Sequence, residues 1–115
     1  MAVIGFSDRP EEIWCVAGWV FRQVLEDVVS QCEDPEMADA FTHAETQSGL
    51  HIDLLEPELG VRVTNAIRNV VRGILSGAIR SGIHDQPYGD ATTIEQYRKA
   101  LQELLTSFPS APIPD

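Results

Sequence analysis

Between Pro57 and Gly82, Leu59, Val63, Ile67, Val70, Val71, Ile74 and Ala78 recur three or four residues apart. Arg62, Asn65, Asn69, Arg72, Ser76 and Arg80 take the other side. This is the pattern of an amphipathic helix, about 40 Å long if unbroken. So long an apolar stripe must be covered, and the rest of the chain has to supply the covering layer. Gly73 and Gly77 interrupt the pattern. Each costs about 1 kcal/mol relative to alanine inside a helix. Either the helix breaks there or another backbone comes close. The Gly73-x-x-x-Gly77 spacing permits close helix packing. It marks Gly73 and Gly77 as a homodimer seam or as tight packing within one chain.

The remaining punctuation predicts three more helices. Ser7 or Asp8 caps the first, with Pro10, Glu11 and Glu12 in its opening turn, and it runs to about Cys32. Asp34-Pro35-Glu36 starts the second, which carries Met37, Phe41, Ala44 and Ser48 on one face and stops at Gly49. Thr92 and Glu95 form a capping box for the last, which ends near Phe108. The segment GLHIDLLEP alternates over five residues, as a strand does. With no second strand in view, it reads as an ordered extended connection between helices two and three. The expectation is an all-α fold: one domain over residues 1–108, a bundle of about four helices, and a flexible tail over 109–115. At 115 residues, the chain can bury roughly two thirds of its unfolded surface and needs no disulfide or metal to fold.

The run IWCVAGWVF, Ile13 to Phe21, is the most apolar stretch. It falls short of the roughly 20 residues a membrane span requires, so no membrane partner is expected. MAVIGF has no Lys or Arg ahead of its short apolar part and does not read as a signal peptide. A cytoplasmic location follows as the expectation. On a helix from Ser7 to Cys32, Val20, Val24 and Val28 face the core. The polar stripe Arg22, Gln23, Glu26, Asp27 extends back through Cys15, Gly18 and Trp19. The first half is then apolar all round and needs a cover: the MAVIGF arm, the C-terminal tail, a second copy or a partner. Cys15 and Cys32 on that helix would lie about 25 Å apart, too far for a disulfide, and read as buried thiols.

The net charge is −10 and it is unevenly spread. Residues 1–58 carry thirteen acids and two bases. Residues 59–84 carry four arginines and no acid. Residues 85–115 carry five acids and two bases. A surface so acidic repels nucleic acid. The four arginines have acids upstream to pair with.

Chemistry-bearing motifs are sparse. There is no G-x-S-x-G, no phosphate-binding glycine loop, no His-Glu-x-x-His and no Glu-x-x-His. No metal or cofactor is expected, and no enzyme. If the chain were an enzyme, His43, His51 and Asp53 would be the residues to mutate. The leading expectation is a non-catalytic, acidic protein-interaction module of inhibitor or immunity type, steered to a basic partner. Trp14, Trp19, Glu26 and Asp27 are its expected contact residues. The alternatives are a bundle that binds a small apolar ligand and a homodimer joined at Gly73 and Gly77.

Overall fold

The computed structural model describes residues 2–6 and 13–108. The chain is α+β, dominated by helices, and the all-α expectation is overturned by a three-stranded mixed sheet. The strands are β1 (Ala2–Gly5), β2 (Ile13–Val16) and β3 (Gly49–His51), and the helices are α1 (Gly18–Ser30), α2 (Pro35–Gln47), α3 (Pro57–Ser76) and α4 (Ala91–Thr106). Short 3₁₀ turns occupy Ile52–Leu54 and Gly82–Asp85. The start signals at Ser7, Asp8 and Pro10 and the tail from residue 109 lie outside the described residues.

The sheet order is β2-β1-β3, with β1 antiparallel to β2 and parallel to β3. The arm expected to cover a helix is the middle strand of the sheet. Ile4 sits opposite both Trp14 and Leu50, and all three are buried. They form the inner row of the sheet, packed against the helices. Period-two alternation explains β2: Trp14 turns inward while Ile13 and Cys15 turn outward. The opening of the apolar run is therefore strand, and α1 begins only at Gly18. Ala17, the residue before it, offers no side-chain cap. GLH, expected as unpaired connection, closes the sheet as β3.

The α2 start behaves as its sequence indicates. Asp34 Oδ1 accepts from the backbone N–H groups of Glu36 (3.0 Å) and Met37 (3.5 Å), with Pro35 in the first turn. Phe41 and Ala44 face the core. The cap of α4 is Asp90, accepting from Thr93 N–H at 2.8 Å, rather than Thr92.

α3 stops at Ser76, six residues short of Gly82. Gly77 adopts φ 86°, the left-handed conformation that favours glycine. The chain then doubles back, and the Ile79 N–H donates to Gly73 O at 3.0 Å. A β-carbon on Gly73 would lie 2.4 Å from Ile79 Cδ1. The space opened by Gly73 is thus filled by its own chain six residues on, and Gly77 is a helix terminator. Of the two packing readings of this pair, Gly73 makes the close approach within one chain, and Gly77 is exposed.

Candidate functional site

Three features on the helical side combine polar chemistry with accessible or buried space. The first is a buried carboxylate. Asp27, expected at the surface as a partner contact, is 4% exposed. Its stripe on α1 faces the turn after α3 and the side of α4. Oδ2 accepts from Ser81 Oγ (2.5 Å) and Tyr97 Oη (2.7 Å), and Oδ1 from Gly82 N–H (2.9 Å) and Gln23 Nε2 (3.1 Å). Four donors from three parts of the chain satisfy one carboxylate. This is the condition for burying a polar group of that kind. Burial, then the charge of Asp27 and the hydrogen bond to it, push the Tyr97 phenol well above the usual tyrosine range. Ser81 in turn accepts from Ile83 N–H at 3.1 Å. Ser81, Tyr97 and Asp27 are all nearly inaccessible, so the cluster ties elements together and presents no exposed nucleophile.

The second feature is a cleft of about 230 Å³ between the end of α3, the 79–84 segment and α4. Ser81 and Tyr97 contribute to its floor and Arg80, His84 and Arg98 to its edges. Arg98 Nη2 donates to Leu75 O at 3.2 Å, and Arg80 pairs with Asp85 at 2.8 Å.

The third is a groove of about 270 Å³ between α1 and α2. Leu25, Val29 and Phe41 form its apolar part, and Glu26 and Glu45 stand at its edges. Val29 is 36% exposed. Val28, its neighbour, is core. Val29 falls three and seven residues after Glu26 and Arg22, on the polar side of α1, and that placement is the sequence signal for this groove. Glu26 accepts from Gln86 Nε2 at 3.5 Å, and Glu45 lies 3.7 Å from Arg22.

The other predicted residues scatter. Trp14, expected at the partner surface, is 3% exposed because strand alternation turns it inward. Trp19 is half-buried against Tyr88 and Tyr97, with ring centroids 6.0 and 6.5 Å away. Glu26 alone of the four is fully at the surface. His43 and His51 do line one shallow groove beside Leu50 and Leu55, but Asp53 does not join them there. Cys15, expected buried, is exposed on the outer face of β2, and Cys32 is half-buried after α1. Arg62 pairs with Asp34 and Glu36 across α2 and α3. Arg68 lies 5.1 Å from the centre of the Phe108 ring.

Among the described residues, no three His, Cys, Asp or Glu side chains converge as a metal site, and no helix is long and apolar enough to cross a membrane. No known protein family, curated protein or solved structure matches the chain.

Proposed function

We propose that this chain is a non-catalytic interaction module whose α1–α2 face binds a basic protein. The supporting observation is the groove over Leu25, Val29 and Phe41, apolar in the middle and flanked by Glu26 and Glu45. An apolar side chain of a partner, bracketed by Lys or Arg, suits it. The middle supplies desolvation energy, and the carboxylates select charge. The wider surface favours the same partner. Glu33, Glu36, Asp39, Asp53, Glu56 and Glu58 are all exposed along α2 and the connection to α3, and their summed field attracts a cationic protein from a distance. Trp19 and Glu26, seven residues apart on α1, lie on one side of the helix, and Phe41 is the aromatic within the groove itself.

The test is capture of a partner by tagged protein at low and high salt, repeated with variants. Glu26→Lys and Glu45→Lys are expected to weaken binding about tenfold or more at low salt, and the difference is expected to close at high salt. Val29→Asp is expected to weaken it at both. A partner of neutral or acidic charge, or binding that ignores both salt and the lysine variants, would overturn the reading.

A further inference from the structure

We infer that the cleft between α3 and α4 is a binding site for a small organic anion, a carboxylate on a compact apolar body. It lies apart from the α1–α2 groove, and the inference does not depend on that groove's role. The argument rests on how the cleft divides its chemistry. Ile74, Ile79, Ile83 and Ile94 supply apolar walls, while Arg80 and Arg98 stand at the edges. Both guanidiniums are steered by single hydrogen bonds, Arg98 to Leu75 O and Arg80 to Asp85. Among the described residues each has further N–H donors available. A guanidinium presents five, in a fork that fits a carboxylate.

The floor decides which way round a ligand lies. The Ser81 and Tyr97 hydroxyl protons both point to Asp27, so the floor offers lone pairs and a buried negative charge. An anionic head is repelled there and held at the arginine edge, leaving the apolar body against the isoleucines. An ammonium ligand meets two guanidiniums at the mouth. Inorganic phosphate or sulfate gains nothing from four isoleucine side chains. The volume limits the size: about 230 Å³ is room for roughly eight waters at 30 Å³ each, and so for a ligand of similar heavy-atom count. The charge of the chain agrees. Arg80 belongs to the one long stretch, residues 59–84, that carries cations and no acid, and Arg98 adds a second cation from α4, while the acids that adjoin the cleft, Asp27 beneath and Asp85 beside Arg80, are already hydrogen-bonded. Residual negative potential at the end of α3 is offset by Arg98 itself.

The experiment is an amide-shift titration of the isotope-labelled full chain by NMR. The probes are isovalerate, its neutral isostere isovaleramide, and inorganic phosphate. Isovalerate is expected to give saturating shifts confined to residues 79–84 and 94–98. The amide and phosphate are expected to give none that saturate. Arg80→Gln and Arg98→Gln should each weaken isovalerate about tenfold, and Arg98→Lys should recover part of the loss. If Arg98→Gln loosens the end of α3, Arg80→Gln decides, because Arg80 touches only an exposed aspartate among the described residues. Absence of saturation with isovalerate overturns the site. So does equal binding of the amide, equal binding of phosphate, or affinity unchanged in both glutamine variants.

Discussion

At the scale of single residues, Asp27 carries the heaviest constraint. Its carboxylate is the common acceptor for Gln23, Ser81, Gly82 and Tyr97, and removing it leaves buried hydroxyls and a buried N–H without a partner. Asp27→Ala is expected to lower stability by about 3 kcal/mol or more in urea unfolding. Tyr97→Phe keeps the ring and loses one donor, and about 1 kcal/mol is expected. The two variants also part company in alkali. Burial, followed by the nearby Asp27 charge, holds the Tyr97 phenol protonated well above its ordinary value. A group whose folded value is raised contributes fully below its unfolded value, near 10 for tyrosine, and loses that contribution as pH rises past it. Stability measured above pH 10 should therefore fall more steeply with pH in the parent than in Tyr97→Phe, and the Tyr97 tyrosinate absorbance should appear only as the protein unfolds. Equal slopes would mean that burial and the Asp27 charge do not hold the phenol protonated.

At the scale of elements, the N-terminal strand and the end of α3 make opposite demands on a side chain. Ile4 is 0% exposed in the middle strand, so Ile4→Ala is expected to cost about 3 kcal/mol. A loosely attached arm would lose almost nothing, and thermal unfolding separates the two. Gly73→Ala tests the reverse case. Helix propensity favours alanine by about 1 kcal/mol, but the new β-carbon would overlap Ile79. Net destabilisation of about 1–3 kcal/mol is expected, and a gain in stability would show that Ile79 moves aside freely. Helices with strong local signals were legible in the sequence. Asp34-Pro35 starts α2, and the seven-residue apolar periodicity gives α3. The strands were not legible, because none exceeds four residues and each gains its meaning from a partner distant in sequence. Ile13–Val16 is as consistent with buried helix as with strand until β1 is placed beside it. The same holds for the polar cluster, since no local pattern relates Asp27 to Tyr97, seventy positions away. The acid-free arginine run was visible, but its return path through Gly77 was needed to bring Arg80 alongside α4.

At the scale of the whole molecule, charge and topology govern behaviour. Ten acids lie between Ile13 and Glu58 with one arginine among them, and their mutual repulsion acts against the folded state. Raising ionic strength from near zero to about 0.15 M screens it. The thermal midpoint is expected to rise by roughly 4 °C, equivalent to about 1 kcal/mol. A midpoint indifferent to salt would show that local pairs such as Arg62 with Asp34 and Glu36 already balance the field. The order of elements carries a consequence for biosynthesis. β1 leaves the ribosome well before its parallel neighbour β3 exists, and Asp27 well before Ser81 and Tyr97. Chains grow at about 5–20 residues per second, so for several seconds β1 lacks its parallel neighbour and Asp27 has only Gln23 among its four donors. The last of the four bonds to Asp27 forms only when α4 has emerged, so a copy truncated before Tyr97 is expected to leave that carboxylate short of a donor and the core open, and to be cut faster by protease than the full chain.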